Sequence, residues 1–233
     1  MLQEIAEKEA ASKLILRDFC SNQKSKLEAH LLELGLLDME LPKNCMIRDL
    51  NWETPEELAS KLGQKYRYSL RKEILKRENQ FVVNYNKPQT DAEKQFVFDL
   101  YRQVHQESTE ISVFELPYSL FDRMYRDESY DFINLYLKDE PDSPAAVLIS
   151  QIIDGVYHAQ LVGLDYRHVR AHGTYKQILY QCVKRAKELG CDSVDLAYTA
   201  EMEKKKVGAT PEETYGFVMA LEHYSHAEME LLK

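Results

Sequence analysis

Two segments of the chain carry residue types that bind anions, and the first of them is strongly basic. Between Lys61 and Arg77 lie seven cations and one anion, a local charge of +6 in a chain whose net charge is −9. Arg67 and Arg71 are four residues apart, so a helix places them in one row, where each guanidinium can hold a carboxylate or phosphate through two hydrogen bonds. We therefore select both as candidate substrate-binding residues. The alternative is a solvated helix face whose cations extend over the core.

The second segment surrounds Gly173, at the predicted start of a long helix that ends at Gly190. A helix N-terminus presents unpaired N–H groups and the positive end of the helix dipole, and both attract phosphate. Gly173 lets a phosphate approach the backbone, Arg170 adds a charge, and Thr174 can cap the helix or donate its hydroxyl. An ordinary capped helix is the alternative interpretation of this segment.

The overall composition is that of a globular protein, with 44% hydrophobic and 30% charged residues but only 8 Gly and 7 Pro. The sequence contains no apolar run of membrane-spanning length and no signal-peptide pattern. Its four cysteines lack metal-ligand spacing, which favours reduced thiols in a cytoplasmic protein. The negative net charge argues against extensive nucleic-acid binding. We expect no metal site, since His168 and His172 lie in a predicted loop without a neighbouring Glu or Cys.

The elements that position these residues follow from apolar periodicity and turn signals. Asp154-Gly155 is the turn of a predicted hairpin, and Tyr66, Leu70 and Ile74 give the basic helix a buried stripe. Before residue 81 the predicted elements are helices near 2–11 and 23–35, an extended run at 41–52, a helix that begins at Thr54 and the basic helix at 65–77. After it they are strand 81–85, a helix from Thr90, helix 117–126, strands 131–138, 145–153 and 156–165, a helix from Thr174, strand 194–198, helix 201–207 and a strand near 217–222.

This order predicts an α/β fold of the α+β type, a mixed and largely antiparallel sheet flanked by helices. It resembles the acyl-CoA N-acyltransferase fold of GNAT-type enzymes. Their loop before the third helix carries (Arg or Gln)-x-x-Gly-x-(Gly or Ala), and Arg170-Ala171-His172-Gly173-Thr174-Tyr175 matches two of the three fixed positions, with Tyr175 at the third.

The N-terminal half resembles the Fem-like branch, the relatives of peptidoglycan aminoacyltransferases. The residues that carry this resemblance are Asp49-Leu50-Asn51-Trp52, Glu56-Glu57-Leu58-Ala59, the basic run from Lys65 to Lys72 and the Lys-x-x-x-Gly segment within Lys204-Lys205-Lys206-Val207-Gly208-Ala209. The resemblance implies an abbreviated N-terminal half over residues 1–80 and one GNAT-like core over 81–233.

The resemblance also implies the parts of an acyl-transfer site. Acyl-CoA would bind at Arg170, Gly173, Thr174 and Tyr175, and the backbone at Val162, Gly163 and Leu164 would polarise the thioester carbonyl. The catalytic candidates are His158 as base, Tyr198 as acid and Glu201 as a weaker acid or base, although His158 and Tyr198 would also suit a packed sheet. Lys204 and Lys205 join Arg67 and Arg71 as candidate substrate-binding residues.

We therefore expect an N-acyltransferase that moves an acyl group, acetyl in the first instance, from acyl-CoA to a primary amine of a small or peptide-like acceptor. A Fem-like aminoacyl transferase that uses charged tRNA is the alternative within enzymes. A catalytically inactive GNAT-shaped binding module is the alternative from another class.

Overall fold

The residues that this computed structural model describes are 2–8, 11–107 and 115–221. The strands are β1 (Lys13–Phe19), β2 (Leu37–Ile47), β3 (Phe81–Asn84), β4 (Tyr130–Leu137), β5 (Ala146–Ile153), β6 (Val156–Leu164), β7 (Ser193–Asp195) and β8 (Thr210–Ala220). The α-helices are α1 (Leu2–Lys8), α2 (Ser21–Glu33), α3 (Pro55–Lys61), α4 (Gln64–Ser69), α5 (Asp91–Glu107), α6 (Tyr118–Arg126), α7 (Tyr166–His172), α8 (Thr174–Glu188) and α9 (Glu201–Lys205). Helix α4 continues as a π turn (Leu70–Ile74) and a 3₁₀ helix (Leu75–Gln80).

Contacts between residues divide the chain into two units. The smaller unit comprises 1–44 and 211–233, and the larger one comprises 45–210. The division predicted after residue 80 rests on a resemblance in sequence rather than on contacts, and it stays a prediction.

The smaller unit orders its strands β1-β8-β2. Strands β1 and β8 are antiparallel, with Leu16 beside Phe217, and Phe217 packs in a small core with Leu31, Leu36 and Met219. The final strand begins seven residues before the predicted Phe217, and the predicted end at Glu222 lies outside the described residues.

The larger unit orders its strands β2-β7-β6-β5-β4-β3. The pairs are antiparallel except for β6 and β7, which are parallel. Alternate residues of β4 point to opposite faces, so that Ile133 and Leu135 pack with α8 while Phe132 packs with α5 and α6. This arrangement confirms the predicted mixed, largely antiparallel sheet flanked by helices.

The hairpin predicted at Asp154-Gly155 is confirmed. Asp154 and Gly155 have φ angles of 50° and 76°, the left-handed pair of a two-residue turn, and Ile153 lies opposite Val156. The register that this turn sets continues to Ala159, opposite Ser150. A bulge then shifts the pairing by one residue, so that Leu161 lies opposite Ile149 and Leu164 opposite Ala146.

One predicted local structure differs in its helix type, and another is wrong. The helix over 65–77 stays helical, but its stripe repeats every four residues rather than 3.6, and the π turn that carries the buried Leu70 and Ile74 accommodates the difference. The segment predicted as a loop around His168 and His172 is helix α7. It forms because the Asp165 side chain caps it, accepting a hydrogen bond of 3.0 Å from the Arg167 N–H.

Strands β6 and β7 pair over three residues and then separate. His158 is in register with Asp195 at the last parallel pair recorded among the described residues. Strand β6 continues to Leu164 with β5 on its other side, whereas β7 ends at Asp195. We call the edge of β6 beyond His158, which β7 does not continue along, the cleft edge or cleft.

Candidate active site

The open edge of β6 presents backbone groups to the cleft. The Asp165 N–H donates to the Ala145 carbonyl across β5 at 3.0 Å, so residues 163 and 165 use their N–H groups toward β5. In an antiparallel pair the direction alternates, and the N–H groups of Val162 and Leu164 therefore point toward the cleft. These are two of the three residues predicted to polarise a carbonyl through their backbone.

Gly163, the third of those residues, has a different function. A Cβ atom built at Gly163 would lie 2.8 Å from the Leu100 Cβ and 3.0 Å from the Tyr101 backbone nitrogen. Helix α5 thus packs against β6 so closely that position 163 has no room for a side chain. The glycine fixes the distance between the helix and the cleft edge.

His158 lies where the cleft begins, and its imidazole meets a carboxylate. Its Nδ1 is 3.2 Å from Asp195 Oδ2, and the two side chains are 32% and 20% exposed. The Asp195 Oδ1 accepts a hydrogen bond of 2.7 Å from the Ala197 N–H, which fixes the carboxylate. A carboxylate on Nδ1 holds the imidazole in the tautomer that leaves Nε2 to accept a proton.

The residue before His158 shows which face of the sheet this pair occupies. Tyr157 is fully buried in the core beneath α8, and its hydroxyl donates to Asp131 at 2.7 Å. Burial raises the pKa of Tyr157, so its hydroxyl stays protonated. His158 points to the opposite face because neighbouring strand residues alternate.

A second feature is a pocket of about 380 Å³ at the start of α8. Gly173, with φ +72°, is both the last cap of α7 and the N-cap of α8. A Cβ atom at Gly173 would lie 3.4 Å from Arg77 Nη1, which donates to the Ala171 carbonyl at 3.1 Å. The pocket is lined by Glu73, Arg77, Val169, Arg170, Gly173, Tyr175, Lys176 and Glu203.

Three of the four residues predicted to bind the donor line this pocket, and Thr174 does not. Arg170, Gly173 and Tyr175 are at the pocket surface. Thr174 is fully buried, its hydroxyl has no hydrogen-bond partner, and the N-cap position belongs to Gly173. The predicted N-cap at Thr174 is therefore wrong, and its hydroxyl does not face the pocket.

The segment after β7 has left-handed backbone angles and is held in place by a buried lysine. Ala197, Thr199 and Ala200 have φ angles of 58°, 67° and 47°, which are uncommon for residues with a side chain. The Lys204 side chain, 4% exposed as a residue, donates to the carbonyls of Ala197 at 3.1 Å and Tyr198 at 2.6 Å. Lys204 therefore supports the segment that carries Tyr198 instead of reaching a ligand.

Two of the remaining candidates, Glu201 and Lys205, form an ion pair across one turn of α9. Tyr198 lies three residues beyond the end of β7 and is half-buried.

The arginines of the basic segment are engaged in local contacts. Arg67 donates to the carbonyls of Ala59, Ser60 and Leu62, at 3.2, 2.9 and 3.1 Å, and so closes the C-terminus of α3. Arg71 pairs with Glu56 on the surface. The structure does not bring either guanidinium to the cleft edge or the pocket at α8.

Sequence reasoning missed Asp195, Arg77, Lys176 and Glu73. Asp195 meets His158 only because β6 and β7 are parallel and in that register, which no local pattern in the sequence reveals. Arg77 belongs to the basic segment, so its charge was visible but its position was not. Lys176 is the third residue of α8. A cation in the first turn of a helix was the one sign in the sequence that this residue could bind an anion.

The parts of the chain that the structure describes show no cluster of three or more His, Cys, Asp or Glu side chains able to hold a metal ion. Among the same residues, every helix is too short or too polar to cross a membrane.

A mixed sheet whose parallel pair separates beside a helix N-terminus defines the class of protein as acyltransferases of the GNAT type. The model of one family, described as the acetyltransferase (GNAT) domain, matches residues 64–205, more than half of the chain. The chain therefore belongs to the GNAT acetyltransferase family and is an acyltransferase.

Solved structures of similar fold include Fem-like proteins. L-PGS from Bacillus licheniformis has a TM-score of 0.64 at 14% identity, over 99% of this chain and 74% of that chain. FemX has a TM-score of 0.63 at 11% identity, over 98% and 77%. A GCN5-related N-acetyltransferase from Kribbella flavida has a TM-score of 0.54 at 14% identity, over 95% and 73%. The resemblance to the GNAT fold with Fem-like relatives is confirmed. A search of curated protein sequences finds no match.

Proposed function

We propose that the chain transfers an acyl group, acetyl in the first instance, from acyl-CoA to a primary amine of a small or peptide-like acceptor in the cytoplasm. The observation that carries this proposal is the separation of β6 from β7 beyond His158 and Asp195. From His158 to Leu164 the free edge of β6 spans roughly 20 Å. At the far end of β6, Gly173 opens helix α8. A long donor with phosphates at one end and a thioester at the other fits this arrangement.

The pocket at α8 would hold the phosphates of the donor. Arg77, Arg170 and Lys176 supply positive charge there, and α8 is long enough for its N-terminal N–H groups and dipole to act on an anion. Gly173 keeps the space in front of Arg77 free of a side chain.

The reaction needs an amine without its extra proton. We assign His158 Nε2 as the acceptor of that proton, with Asp195 stabilising the imidazolium that forms. The amine nitrogen then attacks the thioester carbon, and the N–H groups of Val162 and Leu164 stabilise the negative charge on the oxygen. As the C–N bond forms, the C–S bond breaks, and the thiolate takes a proton from Tyr198, with Glu201 as the weaker candidate. The attacking nitrogen loses its second proton as it becomes the neutral amide, and that proton restores the acid.

Calorimetric titration with acetyl-CoA and longer acyl-CoAs tests the donor. We expect saturable binding with a dissociation constant below about 1 mM. The absence of binding by every acyl-CoA at that concentration would contradict the proposal. Binding without turnover on any amine would favour the catalytically inactive module.

A charged tRNA is the second candidate donor, and one observation favours it. Lys65, Lys72 and Lys76 are exposed on the basic segment, and the described residues provide no ion pair for them. Such cations can replace the counterions of a phosphate backbone. Filter binding of tRNA at several salt concentrations tests this candidate, because displaced counterions give an affinity that falls steeply with salt.

Arg67 and Arg71 remain proposed contacts to the acceptor, provided that they leave their present partners.

A further inference from the structure

The pocket at the start of α8 contains carboxylates beside its cations. Glu73, carried by the π turn, accepts hydrogen bonds of 2.5 Å from Lys176 Nζ and 3.1 Å from Lys206 Nζ. Glu203 of α9 accepts two more from Lys206, at 2.9 and 3.1 Å, and lies 3.8 Å from Lys176. Four side chains from the π turn, α8 and α9 with its C-cap thus form one charge network at the pocket.

Lys176 and Lys206 are placed to bind an anion, but the Glu73 carboxylate already occupies that position. Lys176 lies in the first turn of α8 and lines the pocket, and the Lys206 side chain is 13% exposed. Burial alone would raise the pKa of Glu73, but the hydrogen bonds from Lys176 and Lys206 lower it to about 2. Glu73 is therefore ionised at any pH at which the protein would be assayed.

We propose that Glu73 is a resident anion of this pocket, which holds Lys176 and Lys206 in place of a ligand phosphate and has to be displaced when a phosphorylated ligand binds. This inference rests on the proposed function, in which the pocket takes the phosphates of the donor. An anion of low charge recovers little of the cost of separating Glu73 from two cations, whereas a polyanion recovers more. Glu73 would thereby make the pocket selective for donors with several negative charges.

The chain offers a matched control for Glu73. Glu78 lies on the same helical segment and also binds a lysine of α8, since Lys184 Nζ is 2.7 Å from Glu78 Oε1. It does not line the pocket. Glu73→Gln and Glu78→Gln therefore remove the same charge and the same kind of contact, but one change is in the pocket and the other is outside it.

Calorimetry with inorganic pyrophosphate and with acetyl-CoA tests the inference on the full chain. We expect Glu73→Gln to bind both ligands roughly tenfold more tightly than the unchanged protein, and Glu78→Gln to stay within about twofold. In Glu73→Gln combined with Lys176→Gln most of the gain should disappear. Equal or weaker binding by Glu73→Gln, with binding by the unchanged protein intact, would overturn the inference.

Two further arms separate this inference from the proposed function. If Glu73→Gln does not fold, Glu203→Gln removes the other carboxylate and should tighten pyrophosphate binding roughly threefold; unchanged affinity would again overturn the inference. If neither the unchanged protein nor any variant binds pyrophosphate or acetyl-CoA, the assignment of acyl-CoA as the donor is itself contradicted. Tighter pyrophosphate binding by Glu73→Gln without acetyl-CoA binding would support the resident anion and contradict the acyl-CoA donor.

Discussion

Asp195 lies directly beside His158, its Cα partner in the parallel pair of β6 and β7, with Oδ2 3.2 Å from the imidazole Nδ1. The carboxylate accepts the Nδ1 proton, so it orients the ring and leaves Nε2 to accept a proton. The pair therefore couples the point where β6 and β7 separate to the orientation of the proposed base.

Asp195→Asn tests this coupling. We expect kcat to fall by about 10- to 100-fold, because the amide no longer fixes the imidazole tautomer that leaves Nε2 to accept a proton. Asp154→Asn is the control, since it changes an exposed carboxylate of the hairpin turn to a residue that tolerates φ +50°. Unchanged kcat in Asp195→Asn, or an equal fall in both variants, would contradict this role of Asp195.

Gly173→Asn tests the donor pocket. Asn adopts left-handed φ angles with little strain, so the helix junction should survive, but its Cβ would approach Arg77 Nη1 to 3.4 Å. We expect acetyl-CoA to bind about tenfold more weakly in calorimetry.

The matched variant for that experiment is Gly190→Asn. Gly190 has φ +71° just beyond the other end of α8, and a Cβ atom there meets nothing within 4 Å. Its affinity should equal that of the unchanged protein. Equal losses in the two variants would show that the effect comes from backbone strain and not from the pocket.

Lys204→Met tests the anchor of the segment after β7. The variant removes the Nζ donor from the carbonyls of Ala197 and Tyr198, although the Ala197 carbonyl keeps the Cys45 N–H at 3.0 Å. We therefore expect a loss of about 2–3 kcal/mol in the free energy of unfolding by urea. Lys205→Met removes only a partly exposed ion pair with Glu201 and should cost less than about 1 kcal/mol. Similar losses in both variants would contradict the anchoring role.

Stability at low pH should depend on Glu73. Its pKa in the folded state, about 2, lies below the ordinary 4.5, so its contribution is complete above pH 4.5 and disappears as the pH falls from 4.5 toward 2. Because the side chain is 36% exposed, we expect this contribution to be on the order of 1 kcal/mol. Urea unfolding of the unchanged protein and of Glu73→Gln, at pH 3 and pH 6, measures it. A difference that grows toward low pH would contradict the assignment.

The sequence predicted the helices and strands better than it predicted the contacts between them. The Asp154-Gly155 hairpin and the long helix after Gly173 depend on local turn and capping chemistry, and both are present. The contact between His158 and Asp195 depends on the register of strands 37 residues apart, and the pairing of Glu73 with Lys176 depends on how the π turn lies against α8. The same limit applies to Arg67. Its charge suggests a bound ligand in the sequence, but in the structure its guanidinium donates to a carbonyl at the C-terminus of α3.

Strand β7 is three residues long, and its shortness leaves the edge of β6 beyond His158 without a parallel neighbour. Each further residue of pairing would close about 3.3 Å of that edge and would turn the N–H groups of Val162 and Leu164 from the proposed donors to a carbonyl oxygen into ordinary sheet contacts. Stability and function thus make opposite demands on this one boundary. The proposed reaction site thus depends on sheet hydrogen bonds that only a longer β7 would form.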